Sequence, residues 1–415
     1  MLAVVQRMRR VVIRKELLAI YAVVFIADLV IGIFSPTFSL FATSLGASLT
    51  LIGALSGTVG LTRILSSVPI GMFSDAKGRK GVLLTGMLLL AASSFLYTVV
   101  THPYFLLPIR VMNGLTFAST FFIGIAYVGD MVAKPDRGLV IGLYTTCMGL
   151  GFTLGSAIGG QMAADYGYTV TYRVAAVIAL FGCAIAWWGL GKSTKERQVQ
   201  VAHTPALSTS AKLSLLVKEP HLFAASVGYL LIILMFDAAI VNFFPLYAAS
   251  LFISQATIGS MFAVRALVST SVRLPTGVLT TRFSSKSLMM VALALGMAMV
   301  FSICCTAAPK VLAVLLVGEG ICFGMFLTSG QAFIAEHFTE SNRGAAMGVY
   351  GTTGSVGSTV GPLIMGAAAD LWGLNAVFWL TGALVLVGIV VLFYVSYWQR
   401  NGASTHDVET QGRGA

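Results

Sequence analysis

The sequence predicts an all-α membrane protein: twelve transmembrane helices in two pseudo-symmetric six-helix bundles. Three observations predict it. The composition is too apolar for a soluble globule, twelve apolar segments are long enough to cross a bilayer, and one internal repeat carries the first half of the chain onto the second.

Of the 415 residues, 57% are hydrophobic and 10% charged, with a mean hydropathy of +0.90. A soluble domain carries roughly 25% charged residues, so the outer surface of this chain needs lipid around it. Crossing the hydrocarbon core as helix takes about 20 apolar residues. In the first half the segments 17–43, 50–73, 81–100, 104–127, 138–164 and 172–191 meet that length. In the second half 221–251, 257–279, 287–307, 311–333, 344–369 and 374–397 do. The expected organisation is a bundle over 1–191, a polar linker over 192–220 rich in Ser, Thr, Lys and Gln, a second bundle over 221–397 and a cytoplasmic tail over 398–415.

The repeat runs from Gly53–Gly160 to Gly259–Gly366 at one offset of 206 residues. Gly53 pairs with Gly259, Pro69 with Pro275, Gly71 with Gly277, Lys80 with Lys286 and Gly114 with Gly320. Arg137, Gly138, Gly142 and Tyr144 pair with Arg343, Gly344, Gly348 and Tyr350. Shared composition does not hold a gapless phase through four helices; duplication does. Upstream, Asp28 and Pro36 match Asp237 and Pro245 at an offset of 209, so only the loop after the first helix of each half changes length.

Cationic loops are retained in the cytoplasm, and with both termini inside, all Lys and Arg fall on the inner side except Arg173, Lys310 and four within helices. The net charge of +11 is then an inner-surface property that sets topology and meets anionic lipid, and nucleic acid is not an expected partner. The basic start runs into an apolar segment too long for a signal peptide and without a small-residue cleavage site, so an uncleaved first helix is expected. The five cysteines sit in helices with no metal-ligand spacing, and the five histidines form no cluster. No metal and no cofactor is expected. Neither a nucleotide-binding loop nor a nucleophile with a neighbouring base is visible, so an enzyme is disfavoured.

After the second segment comes Gly71-Met72-Phe73-Ser74-Asp75-Ala76-Lys77-Gly78-Arg79-Lys80. It resembles the loop signature of the major facilitator superfamily. The resemblance implies a latch at the inner surface, made by Gly71, Asp75, Gly78 and Arg79 with Asp130 at the end of the fourth helix as a partner. The second copy has Thr281 for Asp75 and Ser285 for Arg79, so any latch is asymmetric. Arg110 and Asn113, followed by Gly114, look like a second signature of the family, linked there with proton coupling. The fifth helix carries Gly151, Gly155, Gly159 and Gly160, similar to the glycine signature of the drug/proton antiporters. Ser156 stands where that signature has Pro, whereas the eleventh helix keeps Gly357, Gly361 and Pro362. Glycines four apart are also what any pair of membrane helices uses to pack closely.

Asp28, Arg63, Arg110, Asp237, Arg265 and Glu319 lie well inside apolar segments, where each charge costs roughly 2.5–3.5 kcal/mol on insertion scales. They require a water-filled hollow or mutual pairing. Arg273 sits nearer a helix end and is set apart. By family resemblance the first, fourth, seventh and tenth helices line the hollow, which makes Asp28, Arg110, Asp237 and Glu319 the candidates for proton coupling. Asp28 is eleven residues from the inner helix end, about 16 Å, and Arg110 six from the outer end, about 9 Å. Their depths overlap, and a contact is expected either as a coupling pair or as a fixed structural one. Asn113, Phe117, Phe121, Asn242, Arg265, Phe323 and Gln331 are the candidate cavity residues. Few amides and several aromatics suit a small hydrophobic or amphipathic molecule better than a sugar. The resulting expectation is a monomeric secondary transporter in the bacterial inner membrane, exporting such a molecule against protons by alternating access. An importer or exchanger of metabolites or organic anions is the alternative.

Overall fold

The computed structural model describes residues 14–132, 136–191, 214 and 219–411. Most of the expected linker, and the last residues of the tail, lie outside them. The described chain is helical nearly throughout, without strands. Helix α1 is Lys15–Phe34, continued by the short Phe38–Ser44; α2 is Leu49–Lys77 and α3 Arg79–Leu96. Helix α4 covers Pro103–Asp130, and α5 and α6 are the two limbs of Arg137–Gly189. In the second half α7 is Pro220–Ser250, and α8 is Gln255–Ser271 followed by Arg273–Leu279. Helices α9 (Ser285–Ile303), α10 (Pro309–His337), α11 (Glu340–Trp372) and α12 (Leu374–Gln411) complete the set. The twelve expected helices are present. The last one continues through most of the segment expected as a tail.

The duplication is visible in the turns. Ser48 and its mate Ser254 both cap a helix, each side chain accepting the N–H three residues on, from Leu51 and Thr257. The α5–α6 corner turns at Gly167 (φ 75°) and the α11–α12 corner at its mate Gly373 (φ 84°), a backbone region that favours glycine. At the α1–α2 corner Gly46 has φ 86°, and its mate Phe252 takes φ 60° with a side chain 97% exposed.

Nine stretches among the described residues are long and apolar enough to span a bilayer, and Arg137–Gly189 spans it twice. The two spans outside that set are α8, whose main run is 17 residues, and α11, rich in Gly, Ser and Thr. Both are helices that face the other half of the protein, where backbone approach matters more than apolarity.

Within the first half, α5 lies along α1, and a Cβ added to Gly151, Gly155 or Gly159 would run into the backbone of Phe25, Leu29 or Ile33. In the second half α11 lies along α7 the same way, with Gly357 against the Leu230 carbonyl and Gly361 against Leu234 and Ala238. Between the halves there are two seams, α2 on α11 and α5 on α8. In the first, a Cβ on Gly366 would sit 3.0 Å from the Gly53 Cα; in the second, a Cβ on Gly160 would sit 2.6 Å from the Gly259 Cα. These four glycines are repeat mates, so one backbone contact is built twice.

Both seams close at one end only. Toward the Gly46 corner the glycines of α2, α5, α8 and α11 touch the opposite half. Toward the Gly78 corner, Gly71, Gly138, Gly142, Gly277, Gly344 and Gly348 of the same helices have nothing within 4 Å. Exposure follows: on α2, Ile52 and Leu55 are 0% exposed but Leu65 is 67% exposed. The halves therefore splay at the Gly78 end and enclose a hollow that opens there.

Candidate transport site and gates

Arg265 of α8 and Glu319 of α10 form a two-point ion pair. Nε meets Oε2 at 2.5 Å and Nη2 meets Oε1 at 2.9 Å, with Arg265 2% and Glu319 0% exposed. The guanidinium also lies 4.2 Å above the Phe236 ring and 5.0 Å above that of Phe323. Arg265 and Phe323, both expected to line the cavity, are instead sealed in this cluster, and so is Glu319. A single sequence holds no signal that α8 and α10 meet at this level.

Asp28 of α1 is buried and, among the described residues, has no ion pair within 4 Å. The cation that acts on it is Arg273 of α8. The expected approach of Arg110 to Asp28 does not occur. Arg273 sits near a helix end, which in the sequence sets it apart, but the splay of the halves puts that end beside the hollow. Asp237, the repeat mate of Asp28, lies half-buried in the field of Arg63 of α2, with the Ser358 hydroxyl, Arg110 and Arg265 acting more weakly. Each first-helix carboxylate thus lies in the field of an arginine of the opposite half, beyond ion-pair distance among the described residues. Arg63 continues the face of α2 that carries Gly53, Gly57 and Gly60 into the hollow, past the point where α11 leaves it. Its guanidinium lies 4.6 Å above the Phe117 ring.

Arg110 points elsewhere. Nε donates to the Leu55 carbonyl at 3.1 Å and Nη2 to Ser56 Oγ at 3.4 Å, and the guanidinium stacks 3.9 Å over Phe38. Ser56 Oγ donates on to Asn242 Oδ1 of the other half, and Asn242 Nδ2 donates to the Asp237 carbonyl. Asn242, expected in the cavity, is 4% exposed and belongs to this chain of bonds. Phe121 is 1% exposed and packs on Phe117 with ring centroids 4.6 Å apart. Of the other cavity candidates, Phe117 is half-buried, Asn113 is half-buried and accepts from Tyr97 Oη at 3.1 Å, and Gln331 is exposed.

At the Gly78 end Arg79 bridges two carboxylates, with Nε 2.5 Å from Asp130 and Nη2 3.4 Å from Asp75. The mates of Arg79 and Asp130 are Ser285 and Glu336, and they keep a weaker contact, Ser285 Oγ to Glu336 Oε1 at 2.6 Å. At the Gly46 end Asp370 of α11 accepts from the backbone N–H of Leu49 (3.0 Å) and Thr50 (2.7 Å), so it caps α2 from the opposite half. On the other seam Gln255 Nε2 donates to Tyr168 Oη at 2.6 Å.

Two bundles related by duplication, charged groups between them and a hollow open at one end are the architecture of a carrier. The sequence profile of the Major Facilitator Superfamily matches residues 20–252 and again 230–414. The chain belongs to the major facilitator superfamily. It is 22% identical over 382 residues to an uncharacterised transporter of this superfamily from Methanocaldococcus jannaschii, covering 91% of this chain and 97% of that one. It is 24% identical over 378 residues to Multidrug resistance protein 2 of Bacillus subtilis, covering 88% and 91%. In fold it is similar to a bacterial homologue of the human lysosomal transporter Spinster, solved inward-facing and occupied, with a TM-score of 0.78 at 14% identity over 92% of this chain and 96% of that one. As a superfamily member the protein is an integral, multi-pass membrane transporter of a small molecule.

Proposed function

We propose that this transporter exports a small amphipathic molecule in exchange for protons, by alternating access. The observation that carries the reading is the pair of mates Asp28 and Asp237, each facing an arginine of the opposite half, Arg273 and Arg63. When the halves rock, each carboxylate and its arginine move relative to one another. At an effective dielectric near 20, two unit charges attract by about 4 kcal/mol at 4 Å and about half that at 8 Å. A few ångströms of motion is then worth about tenfold or more in proton affinity. The basic loops favour a cytoplasmic Gly78 end, and in that orientation the hollow loads from inside. Export is favoured further by the likeness to proteins named for multidrug resistance.

A second reading, exchange or import of an organic acid, is favoured by Arg63, which donates no hydrogen bond among the described residues and has its Nε out of reach of any acceptor. One assay tests both. In acid-loaded proteoliposomes holding a pH indicator, fluorescent amphipathic dyes of positive, zero and negative charge are added in turn. Proton-coupled export predicts that a transported dye alkalinises the lumen. Dye movement with no pH change contradicts the coupling, and movement of the anionic dye alone without alkalinisation supports the second reading.

A further inference from the structure

The Gly46 ends of the two seams are joined largely by backbone packing, which by itself does not sense a proton. Beside the Asp370 cap and the Gln255–Tyr168 bond, one polar contact between the halves reaches the turn that carries Asp237. Ser56 of α2 and Asn242 of α7 are 5% and 4% exposed, and their side chains are hydrogen-bonded across the seam. The repeat mates of these two positions are Phe262 and Ile33, both 0% exposed. Both mates are apolar, so the repeat does not keep the polar bond.

Asn242 has two ends. Its Oδ1 accepts from the opposite half, and its Nδ2 donates to the carbonyl of Asp237, five residues earlier. Five residues is the span of a π-turn bond, and Leu234–Phe243 is π-helical. Such wide turns leave carbonyls without their usual partner and recur at functional sites. The side chain of Asn242 therefore ties down the turn that presents Asp237. On the far side, Ser56 also accepts from Arg110 Nη2 at 3.4 Å. The groups that act on the Asp237 carboxylate are Arg63 of α2, Arg110 of α4, Arg265 of α8, Ser358 of α11 and, on its own helix, Tyr229.

We propose that Asn242 is a positioning residue that makes closure of the Gly46 end and the proton on Asp237 depend on each other. This rests on the carboxylates being the proton sites, though not on the direction of transport. With the seam closed, Ser56 fixes the amide and the amide fixes the turn, which holds Asp237 toward Arg63. Parting of the seam withdraws Ser56, the turn is freed, and Asp237 changes its distance from Arg63. Run in reverse, protonation of Asp237 weakens its hold on Arg63 and favours the parted seam. Asn242 does not touch the proton; it acts through the backbone of the residue that does.

Spin labels at Ser44→Cys and Ser250→Cys, in the full chain with its native cysteines replaced, report the width of the Gly46 end by electron–electron dipolar distances. The reconstituted wild type is expected to show near and far populations whose ratio changes at least fivefold between pH 5 and pH 8. In Ser56→Ala, Asn242→Leu and Asn242→Asp that ratio is expected to change less than twofold over the same range, with both populations still present. Asn242→Asp keeps the acceptor for Ser56 and, while ionised, lacks the donor to Asp237, so it separates the two ends of the amide, with Ser56→Ala as the control that adds no titratable group. A purely structural role would move the ratio at every pH and leave its pH response intact, and that result overturns the proposal. So does a wild type with no pH response. If Asn242→Leu does not fold, Ser56→Ala and Asn242→Asp carry the test. The export reading is judged separately, by dye-driven alkalinisation in the unlabelled protein.

Discussion

Gly53 and Gly366 meet backbone to backbone across the α2–α11 seam, with room for no side chain on either. Their mates Gly259 and Gly160 repeat the contact between α8 and α5. Closure of the Gly46 end depends on this absence of side chains. Gly53→Leu should wedge it open, because forcing extra methylenes into a packed contact costs about 1–3 kcal/mol, roughly five- to 150-fold in the closed-to-open ratio. A cysteine at Ile52, 0% exposed in the closed seam, should then react with an impermeant maleimide at least fivefold faster. An unchanged rate would mean the seam closes elsewhere.

Arg265 and Glu319 are each other's partner in a dry site, and a buried charge left alone is destabilising by about 3–5 kcal/mol. Glu319→Leu should lower the thermal midpoint markedly in detergent. Arg265→Leu with Glu319→Leu should recover most of the loss, since apolar residues of similar volume replace such pairs well. If the double variant is worse than the single one, the pair is not mainly structural.

Asp370 caps α2 only while the Gly46 end is closed. Loss of a helix cap costs about 0.5–2 kcal/mol, and because Asp370 is exposed the lower part of that range applies. Asp370→Ala should raise the fraction open at the Gly46 end about two- to fivefold, read by the same distance measurement. A fraction equal to wild type would show that the cap does not hold the gate.

Arg79 bridges Asp75 and Asp130 at the surface, where such pairs are worth up to about 1 kcal/mol. Arg79→Gln should therefore shift the thermal midpoint by no more than about 4 °C. Transport should fall at least tenfold if the bridge works as a latch. Full transport by this variant would leave the bridge without a role in the cycle.

The twelve helices and the two halves were legible because glycines at one unbroken offset survive substitution and because membrane spans announce themselves by length. Partners across the hollow were not. Depth along a helix matched Asp28 with Arg110, but whether two side chains meet also depends on the rotation of each helix and on which ends splay, and these come from packing between halves. Arg273 lies near a helix end in the sequence, and the splay puts that end at the hollow. Asn242 and Phe121 carry the residue types of a cavity lining, yet one is held in a seam and the other in a ring cluster. The exchange of Arg110 and Asn113 for Leu316 and Glu319 between repeats was visible in the sequence. That Glu319 meets Arg265, the mate of Val59, was not.

The account stands most directly on proton movement through Asp28 and Asp237. In proteoliposomes, dye transport driven by a pH gradient is compared with dye-for-dye exchange at equal pH, for wild type, Asp28→Asn and Asp237→Asn. The account predicts that at least one substitution reduces gradient-driven transport tenfold or more while exchange stays within about threefold, a loss of roughly 1.4 kcal/mol or more of coupling alone. Undiminished gradient-driven transport in both variants would contradict it.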